Sequence, residues 1–159
     1  MQKTNQKGFT LIEILIVIGI IAILATIVIV AINPARQFAQ ARNTQRVSNV
    51  NTLLNAIGQN IADNKGSLGS GCPSLTAGTV YTIAIGSGTF IAPATTTIDL
   101  SCLTPTYIPG QLPIDPDTGV WTNPTTYNTQ YNITYDSTSL RYTLSAPKAE
   151  LSQIISVSR

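Results

Sequence analysis

The chain has 159 residues, with nine basic and seven acidic side chains and no histidine. Without histidine there is no Ser-His-Asp or Cys-His nucleophile set, and most zinc sites are excluded. A formal net charge of +2, with only 10% charged residues, gives no electrostatic case for nucleic acid as a main partner.

Residues 1–8 form a short polar leader carrying Lys3 and Lys7 and ending in Gly8. Residues 9–32 follow as a run of 24 with no charge except Glu13. As a helix this run spans roughly 36 Å, enough to cross a bilayer core with some tilt. Its β-branched content would suit a buried strand, but strands rarely exceed about 10 residues. In lipid, helix is selected because every backbone group must be satisfied within the segment. A carboxylate inside a span costs about 2.5–3.5 kcal/mol on insertion scales, so Glu13 points to a function. Three plainer readings compete. A cleaved secretory signal normally has a shorter apolar core and an A-x-A site, which is absent inside this run. A simple single-span anchor fits the hydropathy equally well and differs only at Gly8, Phe9 and Glu13. A buried helix of a soluble protein does not suit so long an apolar run.

The stretch Lys7-Gly8-Phe9-Thr10-Leu11-Ile12-Glu13 resembles the class III signal of the type IV pilins and pseudopilins. The resemblance implies cleavage after Gly8 by a prepilin peptidase, methylation of the new terminus Phe9, and assembly into a helical homopolymer. It also implies that Glu13 meets the free amine of a neighbouring subunit's first residue. Two charges at membrane depth attract strongly, and removing either would leave the other buried and unpaired. A Glu13 that snorkels to the interface is the plainer alternative. The leader has two cations and the far flank three, Arg36, Arg42 and Arg46. A simple count would place the C-terminal side inside, yet long domains translocate largely regardless of charge. The N-terminus is therefore expected in the cytoplasm, as the resemblance requires.

Asn33-Pro34 marks a break or a kink, because proline lacks an N–H and disfavours helix in the residue before it. Helix resumes from Ala35 to about Asn64. Val47, Val50, Leu54, Ile57 and Ile61 form its apolar stripe, with Gln, Asn and Arg opposite. Lys65-Gly66 supplies the stop. Residues 66–78 read as a loop. Tyr81, Ile83 and Ile85 alternate as a half-buried strand. Residues 90–92 and 98–100 are short strand candidates. Residues 103–126 hold five prolines and read as an extended loop. Residues 131–135 and 140–144 alternate around an Asp136–Ser139 turn, the clearest hairpin in the chain. From Pro147 onward, Leu151, Ile154 and Ile155 suggest a packed tail. Residues 108–116 are similar to the proline-bounded loop of pseudopilin-type heads, and residues 142–146 resemble their last strand.

Cys72 and Cys102 are the only cysteines. Outside the cell one disulfide is the natural pairing, and two reduced, buried thiols are the alternative. The pair lies earlier than the C-terminal disulfide loop of many major pilins, so receptor binding tied to that loop is not carried over. Asp115-Pro116-Asp117-Thr118-Gly119 invites a calcium reading at Asp115 and Asp117, since some pseudopilin heads hold calcium. The set is short of six oxygen ligands and is also a good turn, so no metal or cofactor is assigned.

The expected fold is α+β: a long N-terminal helix, transmembrane in its first half, packed against a small antiparallel sheet. The expected segments are a leader at 1–8, a transmembrane or filament-core helix at 9–32, its amphipathic continuation at 33–64 and a β-rich head at 65–159. The expected function is structural and not enzymatic: a subunit of a type IV pilus-like filament. Alternatives are a pseudopilin of a type II secretion or DNA-uptake system, and a single-span anchored ectodomain. Expected partners are other copies of the chain, the prepilin peptidase, an inner-membrane assembly platform, and membrane lipid before assembly. The chain would pass from the cytoplasmic membrane to an extracellular filament.

Overall fold

A computed structural model describes residues 8–69, 71–86, 93–94 and 96–159. The leader lysines and the strand candidate at 90–92 lie outside the described residues. The chain divides into two compact units, Met1–Phe38 and Ala39–Arg159.

The first unit is built on helix α1, Leu11–Ile32. It is long and apolar enough to cross a membrane, and none of its residues is buried within the chain. The hydroxyl of Thr26 donates to the Ala22 carbonyl at 2.9 Å, so this polar group is satisfied within the apolar run. Asn33 ends α1 in a left-handed conformation, φ 47°. Its carbonyl and side-chain oxygen both accept from the Arg36 amide, at 3.1 and 3.4 Å. One residue thus terminates α1 and opens helix α2, Pro34–Asp63. Proline suits that first helical position, where its missing N–H is no loss.

The second unit packs the remainder of α2 against a six-stranded sheet. The buried positions Ala39, Asn43, Arg46, Val50, Leu53, Ile57 and Asn60 step by 4, 3, 4, 3, 4 and 3. This face is rotated from the stripe expected on apolarity alone. Val47 is 42% exposed, whereas Leu53 and Arg46 are at most 1% exposed. Arg46 therefore does not lie opposite the core but within it. The reason is electrostatic: carboxylates from two distant loops meet it there. Past Asp63, Lys65 (φ 59°) and Gly66 (φ 94°) both turn left-handed, and the Gly66 amide reaches the Ile61 carbonyl at 2.9 Å. The stop is thus at the expected place, with Lys65 itself in the left-handed position.

The strands are β1 Val80–Ile85, β2 Thr96–Ile98, β3 Val120–Asn123, β4 Thr126–Asp136, β5 Arg141–Ser145 and β6 Ser156–Ser158. The order is β2-β1-β4-β5-β6, with β3 also paired to β4. All pairs are antiparallel except β1–β2, so the sheet is mixed. Alternation marks a strand but is blind to the direction of its neighbour. The expected hairpin is β4–β5, with Asp136 opposite Arg141. Strand β3 lies inside the proline-rich stretch expected to be loop. Its Trp121 stacks on Tyr127 with ring centroids 5.1 Å apart, which gives a four-residue segment a reason to pair.

Between Thr82↔Asn132 and Ala84↔Asn128, β1 advances two residues and β4 four. Gln130 absorbs the excess at φ 64°, and the Thr129 hydroxyl donates to the Ile83 carbonyl at 2.9 Å. This bulge sits in the middle of the sheet, where Tyr127 to Ile133 are all buried. In the tail, Ile155 is buried and its carbonyl accepts from the Ala146 amide, but Ile154 is 94% exposed and Leu151 46%. Neighbouring residues of an extended segment point to opposite faces, so only one of the two isoleucines packs.

Candidate processing and assembly site

Gly8 precedes α1 and is exposed; a Cβ built on it would meet no atom within 4 Å. Nothing among the described residues therefore calls for glycine there. Phe9 is 81% exposed. Thr10 is the N-cap of α1, in an extended conformation with φ −81° and ψ 151°. Its hydroxyl accepts from the Glu13 amide at 3.3 Å. In return, the Glu13 carboxylate accepts from the Thr10 amide at 3.4 Å and from the Thr10 hydroxyl at 3.5 Å. Thr10 and Glu13 form a reciprocal capping box. Glu13 is also the acid of the first turn, where a negative charge complements the helix dipole.

These return bonds are long, and one carboxylate oxygen makes both of them. The group therefore keeps accepting capacity for a strong donor such as an ammonium. A cut after Gly8 would create that ammonium on Phe9, one residue before the cap. A cation is disfavoured at a helix N-terminus, so an amine there gains from a nearby carboxylate. Thr10 was not among the expected site residues. Its signal is the T-x-x-E spacing ahead of an apolar run, which is readable in sequence.

Cys72 and Cys102 are bridged, with Cα atoms 5.4 Å apart, and tie the loop after α2 to the 3-10 turn Ser101–Leu103. Asp115 is 2% exposed. Its carboxylate accepts from Arg46 Nε and Nη2 at 2.6 and 3.2 Å and from the Asp117 and Thr118 amides, each at 3.0 Å. A cation at Asp115 would have to displace Arg46. Asp117 is exposed, and among the described residues no three His, Cys, Asp or Glu side chains gather in a possible metal cluster.

Arg46 is the centre of a network that sequence reasoning missed. Besides Asp115, it donates from Nη1 to Glu150 at 2.9 Å and to Asn43 Oδ1 at 3.0 Å. Arg42 forks onto the same Glu150 at 2.5 and 2.7 Å. Asn43 closes the set by exchanging bonds with the Glu150 backbone, at 2.8 and 3.0 Å. Burial pulls the Arg46 pKa down, but its bonds to Asp115 and Glu150 more than offset this. Burial likewise pushes Asp115 up, and Arg46 with the two amides brings it below the usual carboxylate range. The hydrogen bonds from Arg42 and Arg46 draw Glu150 down to about 2. No sequence signal marks these partners, which are 69 and 104 residues from Arg46.

Residues 3–29 match the family model described as the prokaryotic N-terminal methylation motif. The match includes Gly8, Phe9, Thr10 and Glu13 and leaves the second unit uncovered. No curated protein and no solved structure matches the chain. With that motif leading into an exposed apolar helix, the chain carries the class III prepilin signal of the type IV pilins and pseudopilins.

Proposed function

We propose that this chain is a structural subunit of a type IV pilus-like filament. It is inserted with its N-terminus inside, cut after Gly8 by a prepilin peptidase and methylated on Phe9. An assembly platform then draws it from the membrane, and α1 packs against the α1 helices of other copies. Glu13 pairs with the Phe9 amine of a neighbour and so fixes the stagger between subunits. The observation that carries this reading is α1 itself. It presents 22 residues with none buried by the chain, and it opens with a carboxylate held in a capping box. Lipid covers such a helix before assembly, and a bundle of identical helices covers it afterwards. Small residues Gly19, Ala22 and Ala25 give such a bundle places for close approach.

The test is to shear surface material from the native host. Intact-mass analysis should find a chain starting at Phe9 with one added methyl, and electron microscopy should find long filaments containing it. Unprocessed precursor in filaments would overturn the processing step. A processed chain without surface filaments would favour a pseudopilin, which carries the same signal.

A further inference from the structure

We infer that the second units of successive copies stack end to end, with Leu140 of one seated beside Ile154 of the next. This contact deepens the filament reading and rests on it. The receiving surface is an open groove of about 330 Å³, lined by Val47 of α2 and by residues 153–157. The lining carries no charged side chain, so it suits an apolar guest. Ile154 stands 94% exposed in it, and Val47 is exposed as well. The groove borders β6, which ends the strand order and has no strand on its outer edge among the described residues. Ile155 and Arg159 bond to the β5 side, so by alternation Ser156 and Ser158 turn their peptide groups outward. Apolar side chains beside open peptide groups suit a polypeptide guest better than a lipid chain or a small molecule.

The chain presents this surface at a conformational cost. Leu151 and Ser152 are both left-handed, φ 58° and 56°, in a tight turn closed by the Gln153 amide on the Glu150 carbonyl at 3.1 Å. Such turns are ordinarily made by glycine, asparagine or aspartate. Asn43 clamps both ends, donating to the Glu150 carbonyl and to Gln153 Oε1, each at 2.8 Å. The network around Arg46 thus holds a strained turn that leads into the exposed Ile154. The symmetry of a filament selects the occupant. Subunits that all point one way join different surfaces of successive copies, because a surface meeting itself closes into a dimer. Apart from Val47, Leu151 and Ile154, the large apolar side chains exposed on the second unit among the described residues are Val120 and Leu140. Val120 is on β3, which lies on the same side of β4 as β5 and so on the groove's own side of the sheet. Leu140 is in the turn of the β4–β5 hairpin, 70% exposed and left-handed, φ 55°. It stands at the far end of the β5–β6 ladder from Ile154: Ala146 bonds to Ile155, and Leu140 to Ala146 is roughly 20 Å of strand. A knob at one end and a groove at the other make an open, head-to-tail contact.

The test is to express the full chain with Leu140→Cys and Ile154→Cys together in the native host, oxidise the sheared filaments with copper phenanthroline, and run them on a non-reducing gel. Within one chain these positions are too far apart to bridge, since a disulfide needs Cα atoms within about 7 Å. A ladder of covalent multimers is expected from the pair, and monomer from each single variant. If the cysteine pair assembles poorly, filament yield serves instead. Leu140→Lys and Ile154→Asp should each cut sheared filament about tenfold with cleavage after Gly8 retained, and the two together should recover most of it. Intact filaments of the cysteine pair without a ladder would overturn the contact and leave the filament reading standing. So would dimers from Ile154→Cys alone, a ladder from Val120→Cys with Ile154→Cys in its place, or single charge variants that assemble like the wild type. Absence of filaments from the wild type would remove both the contact and the filament reading.

Discussion

Helix α1 and the head solve opposite problems. The head closes on itself: its helix buries an arginine, yet every buried side-chain polar atom among the described residues has a partner. From one helix face Asn43 reaches Glu150, Arg46 and Asn49 reach the adjacent residues Asp115 and Ile114, and Asn60 accepts from the Gly69 amide. Helix α1 is open: it has apolar residues on every side, and its only acid bonds to its own cap. The contrast separates a region whose stability is set within one chain from a region whose stability must come from its surroundings. Changes in the head should alter unfolding and leave the chemistry of the N-terminus alone. Changes at residues 8–13 should do the reverse.

The largest expected effect in the head is at Arg46. Arg46→Met should destabilise it by about 3–5 kcal/mol, because Asp115 is left charged and buried. Denaturant unfolding measures this, and adding Asp115→Asn should recover part of the loss. If Arg46→Met unfolds like the wild type, the head is not closed by this network. Next is the disulfide. Replacing Cys72 and Cys102 by serine opens a loop with a sequence separation of 30. On the chain-entropy model this costs about 3–4 kcal/mol. Intact-mass analysis should still show processing at Gly8 in that variant.

Acid should act on the head through depressed carboxylates. Glu150 has a folded pKa of about 2, and Asp115 also lies below its ordinary value. Stabilisation from such groups is fully present above the unfolded value of about 4 and is lost as pH falls through the folded one. The thermal midpoint should therefore fall from about pH 4 towards pH 2, with these groups contributing no slope from pH 5 to 8. In Glu150→Gln that slope should shrink. The smallest effect expected is at the cap. Thr10→Ala should loosen the first turn of α1 by about 1 kcal/mol, seen as faster amide exchange at residues 11–13 in micelles, with head unfolding unchanged.

What was legible in the sequence was local. The motif occupies six residues from Gly8 to Glu13, and its parts keep their meaning without knowledge of the fold. The β4–β5 hairpin was visible because alternation and turn stand next to each other. Arg46 was not visible: on a helix it looks like a solvated residue until Asp115 and Glu150 arrive from other parts of the chain. Strand β3 was hidden by the surrounding prolines, and its pairing depends on Trp121 meeting Tyr127. Ile154 and Ile155 are equally apolar, so one of them had to be misplaced until the strand register was known.

The central claim is that α1 is completed by other copies through the charge of Glu13. The capping box makes a clean test possible, because glutamine can also return a hydrogen bond to the cap while carrying no charge. Glu13→Gln should therefore keep α1 capped, keep membrane insertion and keep cleavage after Gly8. The measurement is the ratio of sheared filament to membrane-bound subunit in the native host, compared with the wild type. The account predicts a sharp fall in filament with processed subunit retained in the membrane, since each docking step would bury an unpaired amine. Wild-type filament yield from Glu13→Gln would contradict it.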